Sequence, residues 1–196
     1  MFKRLLAAGI ILTMCISMAA CSTDKKESET TMEMEGIPNP MTEVTREELV
    51  EQTGIDLPAP EGAADVTYYV VDTEEVTISQ MDFTLDGNEY TLRACSTGMT
   101  ELDAAETGED EMDLQGFNFD LGDISGLYYD EWEAMGSTLV KERSGLYKVS
   151  KEGAGYVAWV DGTPGILYNL IMSENASNEI LTETAEKVFV PLQGED

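Results

Sequence analysis

The sequence predicts an α+β domain: a single curved antiparallel β-meander sheet with a short N-terminal helix and a C-terminal helix. Three observations carry this expectation. Residues 66–71, 81–94 and 137–172 contain runs of β-branched, aromatic and aliphatic side chains interrupted by glycine-containing turns. Ahead of them, Thr45-Arg46-Glu47-Glu48 has the spacing of a helix capping box. Behind them, Leu181, Ala185 and Val188 recur at helical intervals.

Taken in order, the first helix begins at Thr45, whose hydroxyl is placed to accept from the Glu48 amide while the Glu48 carboxylate accepts from the Thr45 amide. Gly54 is placed to end it, and Pro58 and Pro60 force the following link to be extended. Residues 66–71 read as a strand. A two-residue loop at Gly87-Asn88 would set Leu85 opposite Tyr90, Phe83 opposite Leu92 and Met81 opposite Ala94 on one face. The other face would pair Thr84 with Thr91 and Asp82 with Arg93, and would also carry Cys95. Residues 96–113 read as an acidic loop, followed by apolar islands at Leu114, Phe117, Phe119 and Leu121. Strands are then expected at 137–141, 146–150, 156–160 and 166–172, with turns at Ser144-Gly145, Gly153-Ala154-Gly155 and residues 161–165. The last helix is expected over residues 177–189, stopping before Pro191.

The N-terminus has a different character. Lys3 and Arg4 precede an apolar run over residues 5–16, and Met18-Ala19-Ala20-Cys21 then resembles the lipobox of bacterial lipoprotein signal peptides, with Met18 where leucine is most usual. The apolar run is shorter than the roughly 20 residues that cross a bilayer core. The resemblance implies a signal peptide at 1–20 and a mature chain lipid-modified on Cys21, held by at least two acyl chains at the extracytoplasmic face of the cell membrane. Residues 21–40, rich in Ser, Thr, Glu and Lys without apolar periodicity, read as a flexible tether. The folded domain would then span 41–190, with a short tail at 191–196.

Charge narrows the partners. The chain carries 39 acidic and 11 basic residues, and loss of Lys3 and Arg4 with the signal would leave 9 basic residues and a net charge of −30. Such a surface repels nucleic acid and anionic phospholipid, while cations and basic peptides remain compatible with it. Of three cysteines, Cys15 would leave with the signal and Cys21 would be acylated, so Cys95 is alone and no internal disulfide is expected. The sequence has no histidine, which removes Ser-His-Asp and Cys-His nucleophilic sites and the commonest zinc ligand.

Two candidate chemistries follow from the acids. Asp110, Glu111, Asp113, Asp120 and Asp123 place five carboxylates in the acidic segment 101–123, enough oxygen for a calcium ion, although without the spacing of an EF-hand loop. Paired carboxylates with Trp132 or Trp159 as a stacking platform are the alternative, a hydrolase of envelope polymers. Ser22-Thr23-Asp24-Lys25 matches a Ser-x-x-Lys spacing but falls in the tether. Without a catalytic motif, the expectation is a monomeric binding module, not an enzyme. Tyr68, Tyr69, Tyr128, Tyr129, Tyr147 and Tyr156 supply amphipathic contact area for a peptide, a protein or an envelope-polymer fragment.

Residues 39–44, Leu57-Pro58, Gly155-Tyr156-Val157-Ala158-Trp159 and Tyr168-Asn169-Leu170 together resemble small extracytoplasmic domains of Gram-positive bacteria, domains of unknown function found in lipoproteins and in membrane proteins linked to anti-sigma factors. The resemblance spans most of residues 39–190. It implies a sheet with flanking helices and carries over no catalytic residue; the acidic stretch before Gly116 departs from it.

Overall fold

The computed structural model describes residues 41–73, 76–97, 124–162 and 165–191 in full, and residues 113–114 and 117–118 by their backbone. Strand β1 (Met41–Val44) leads into helix α1 (Arg46–Thr53), followed by β2 (Ala64–Asp72), β3 (Thr77–Leu85) and β4 (Asn88–Ser96). A two-strand ladder, β5 (Asp113–Leu114) with β6 (Phe117–Asn118), comes next. The chain then continues through β7 (Trp132–Val140), β8 (Arg143–Ser150), β9 (Gly155–Asp161), β10 (Ile166–Met172) and α2 (Asn178–Val188). Eight strands form one antiparallel sheet in the order β1-β2-β3-β4-β10-β9-β8-β7. It consists of two four-strand meanders joined where β10 pairs with β4. The expected α+β meander sheet with two helices is therefore present.

Local chemistry accounts for the helix ends. Both halves of the Thr45–Glu48 capping box form, and Gly54 ends α1 in the left-handed region at φ 74°. Bonding to the Thr45 amide and hydroxyl holds the Glu48 carboxyl below its usual pKa. The Ser177 hydroxyl accepts from the Ile180 amide at the start of α2, which buries Leu181, Thr184, Ala185 and Val188.

Alternation along the strands divides the sheet into two faces. One face carries Val70, Met81, Phe83, Tyr90, Leu92, Val157, Trp159, Tyr168 and Leu170, all buried. The helices cover this helix face. The Thr184 and Tyr90 hydroxyls meet at 3.3 Å, and Phe189, next after α2, packs edge-on against Trp159 and Tyr168, which stack on each other at 5.3 Å. At the other end of the sheet, α1 seats Leu49, which is fully buried.

Two turns differ from expectation. The β3–β4 loop is Asp86-Gly87, not Gly87-Asn88, so Phe83 faces Tyr90, Met81 faces Leu92, Asp82 faces Thr91 and Gln80 faces Arg93. A type I′ loop needs positive φ at both central residues, and Asp86 (53°) with Gly87 (84°) supplies it. The shift is two residues, so every side chain keeps its expected face. The β7–β8 loop is Lys141-Glu142, and Ser144-Gly145 lies within β8. Gly145 is needed there for close strand packing, because an added Cβ would stand 3.0 Å from the Ala158 carbonyl oxygen. Lys141 (φ 43°) and Glu142 (φ 69°) hold the left-handed region without being glycine, asparagine or aspartate. Glu142→Gly should therefore raise stability by about 0.5–1 kcal/mol, seen as a higher denaturation midpoint. Strand β1 and the extension of β7 back to Trp132, across a bulge between Trp132 and Ala134, were also not foreseen.

Candidate functional site

The second face of the sheet holds a buried polar cluster. Gln80, Arg93 and Asn169 stand side by side in register on β3, β4 and β10, with Asp82 and Thr91 paired in the adjoining row. Arg93 is 2% exposed, Gln80 3% and Asn169 0%. Such burial means that each polar atom left without a partner costs stability.

Most of the cluster is mutually satisfied. The Arg93 Nε donates to Gln80 Oε1 at 2.9 Å, and its Nη1 donates to the Ile124 carbonyl oxygen at 2.6 Å. The Gln80 amide donates in turn to the Asp82 carboxylate at 3.0 and 3.2 Å, and the Thr91 hydroxyl donates to Asp82 at 2.8 Å. A guanidinium and a carboxylate are thus linked through one carboxamide. Burial pushes the Asp82 carboxyl above its ordinary pKa, against the hydrogen bonds of Thr91 and Gln80 and the charge of Arg93. Burial likewise lowers the Arg93 pKa, with Asp82 opposing.

Asn169 differs from its neighbours: neither its Oδ1 nor its Nδ2 has a hydrogen-bond partner. It interrupts the run Ile166-Leu167-Tyr168-Asn169-Leu170-Ile171-Met172, buried along almost its whole length because β10 is covered on both faces. An apolar residue would fill the same place at lower cost.

A strap crosses this face. Ile124 and Ser125 form a helical turn tied down by Arg93, the Leu127 amide donates to the Ser125 hydroxyl, and Tyr129 packs edge-on against Trp132 of β7. Trp132 in turn packs edge-on against Tyr156 and lies under the Lys148 ammonium, 5.5 Å from the ring centroid. The strap therefore runs from the polar cluster to an aromatic line at the far edge of the sheet.

The residues singled out from sequence are placed unevenly. Cys21, Asp110, Glu111, Asp120 and Asp123 lie outside the described residues, and Asp113 is described in β5 by its backbone alone. Among the described residues no group of three or more His, Cys, Asp or Glu is arranged to hold a metal ion, and no helix is long and apolar enough to cross a membrane. Cys95 lies on the strap face beside Leu167, fully buried, and burial pushes its thiol up to about 12, which keeps it protonated and unreactive at neutral pH. Trp159 is core, while Trp132 is half-buried. Of the six tyrosines, Tyr156 is buried and Tyr128 is exposed. Gln80 was not singled out from the sequence, and Asn169 only within the Tyr168-Asn169-Leu170 resemblance; the signal for Asn169 as a site was one carboxamide inside an otherwise apolar strand. Comparison of the chain with family models, with characterised proteins and with solved structures returned no match.

Proposed function

We propose that the protein is a lipid-anchored extracytoplasmic binding module whose recognition group is the Asn169 carboxamide on the strap face. The observation that carries this reading is a buried donor and acceptor, side by side and both unpaired, on the central strand. Local rules are broken at a stability cost most often where function requires it. A carboxamide presents the complement of another amide, so the ligand class that fits is a peptide or an N-acylated envelope-polymer fragment. Asn169 stands beside Arg93, the residue that holds the strap through the Ile124 carbonyl oxygen. Binding is favoured over catalysis because the sequence has no histidine and the Cys95 thiol is buried and protonated. The lipobox resemblance at residues 18–21 supports the anchor.

Two measurements test the reading. Asn169→Leu should raise the unfolding free energy by about 1–3 kcal/mol, because it removes two unpaired polar groups and keeps the volume. The same variant should lose the chemical-shift perturbations that soluble peptidoglycan fragments and short peptides produce at Arg93 and Gln80 of the unaltered protein. A destabilised Asn169→Leu variant would mean that the carboxamide is a structural bond, and the site would be abandoned. For the anchor, labelled palmitate should enter the wild-type chain and fail to enter Cys21→Ser; equal labelling of both would remove the lipidation.

A further inference from the structure

We infer that strand β7 is a self-association edge, at which two copies of this chain pair antiparallel about a two-fold axis through Ser137 and continue the sheet across both molecules. β7 is the end strand of the sheet and spans nine residues. Its one charged residue, Glu133, and its bulge both lie at its start, and residues 134–140 carry no charge, no proline and no further bulge. Its exposed side chains include Met135 at 47% and Leu139 at 61%, large apolar groups in open contact with water.

Hydrogen-bond direction follows from the loop. The pair flanking a two-residue hairpin loop, here Val140 and Arg143, exchanges both of its bonds, and bonded pairs then alternate along the ladder. Thr138 and Gly136 therefore bond to β8, while the amides and carbonyls of Leu139, Ser137 and Met135 point off the edge of the sheet. A partner strand must align with those three residues.

The sequence of β7 is complementary to itself in one such alignment. With Ser137 opposite Ser137 of the second copy, Met135 falls opposite Leu139 and Leu139 opposite Met135, all on the strap face. Three facing pairs with two bonds each make about six backbone hydrogen bonds. Beyond the paired residues, the same register brings Glu133, at the bulge, and Lys141, in the loop, towards each other at both ends, and both are exposed. The Lys141 ammonium donates to the Phe189 carbonyl oxygen and keeps further donors for a carboxylate. Opposite charges at the ends and apolar pairs inside are what an isologous interface requires. In a chain of net charge −28, the β7–β8 hairpin, with Lys141, Arg143 and Lys148 against Glu133 and Glu142, is a region where two copies meet without repulsion. The proposed dimer departs from the monomer expected from the sequence.

Facing residues of a bonded antiparallel pair have Cα atoms about 5.5 Å apart, within the about 4.4–6.8 Å that a disulfide spans. The test uses the full chain carrying Cys15→Ser and Cys21→Ser, so that buried Cys95 is the remaining native thiol. With copper–phenanthroline as the oxidant accepting the two electrons, Ser137→Cys should give a covalent dimer. Met135→Cys and Leu139→Cys should cross-link poorly alone and well when mixed. Adding Leu139→Lys to Ser137→Cys should lower the cross-linked fraction about tenfold while the circular dichroism spectrum stays unchanged. A Ser137→Cys chain that remains monomeric would overturn the inference. So would self-cross-linking of Met135→Cys or Leu139→Cys as efficient as that of Ser137→Cys, or, in cells, cross-linking of Ser137→Cys to a different protein.

Discussion

Arg93→Ala is expected to destabilise the domain by about 3–5 kcal/mol, the range for removing one partner of a buried charge network. Three losses combine in that substitution. Asp82 loses the positive charge that offsets its burial, Gln80 Oε1 loses its donor, and the Ile124 carbonyl loses the bond that holds the strap. Arg93→Met keeps the aliphatic bulk and should cost less, because part of the alanine deficit is a cavity at a position only 2% exposed. Denaturant titration of the two variants separates charge from volume; equal losses would assign the whole deficit to the guanidinium, whereas an Arg93→Met variant as stable as the wild type would make the site a packing position in which the guanidinium has no net role.

The deficit should depend on pH with a definite sign. The Asp82 carboxyl has a folded pKa above its ordinary 3.8, so the folded state binds its proton more readily than the unfolded chain does. Its contribution to stability therefore rises as pH falls through the folded value towards 3.8, and is lost as pH rises above the folded value. Removing Arg93 takes away an interaction that lowers this pKa, so the folded value rises further and the window widens. The gap between wild type and Arg93→Ala should accordingly narrow on acidification. A gap that widens as pH falls would assign the buried charge to another group.

What the sequence made legible follows the range of the interactions concerned. The α1 caps depend on residues three and four apart, and Thr45, Glu48 and Gly54 were all readable. The faces of β3 and β4 were readable because alternation survives a two-residue register shift, whereas the register itself was set by Asp86 accepting a positive φ, a choice between neighbouring turn pairs. Lys141-Glu142 carries no turn composition at all, so the β7–β8 loop was displaced to the next glycine. The candidate site was less legible. Arg93 was assigned to the correct face, but its bonded neighbour is Gln80 and its second acceptor, Ile124, is 31 residues away. Asn169 is conspicuous only once β10 is known to lie at the centre of the sheet with both faces covered. Pairing of β10 with β4, which joins the two meanders, leaves no local trace in the chain, and without it Arg93 and Asn169 do not become neighbours.

Trp159→Ala is the second large effect, with an expected loss of about 3–5 kcal/mol. Trp159 is fully buried at the centre of the helix face, stacked on Tyr168 at 5.3 Å and met edge-on by Phe189 at 5.5 Å. Its removal leaves a cavity between the sheet and the residue that ends α2, so the damage should reach the helix: Phe189 loses one of its two aromatic contacts, and the Lys141–Phe189 bond that ties the β7–β8 loop to this point loses its support. Trp159→Phe should behave differently. The indole Nε1 has no hydrogen-bond partner, so phenylalanine removes a buried unsatisfied donor while keeping most of the stacking area, and its cost should fall well below that of alanine. Hydrogen exchange distinguishes the two, since the amides of α2 should lose protection in Trp159→Ala and retain it in Trp159→Phe. If phenylalanine proves as damaging as alanine, the indole nitrogen has a partner in solution, and the helix face is not the dry aromatic core that the stacked geometry describes.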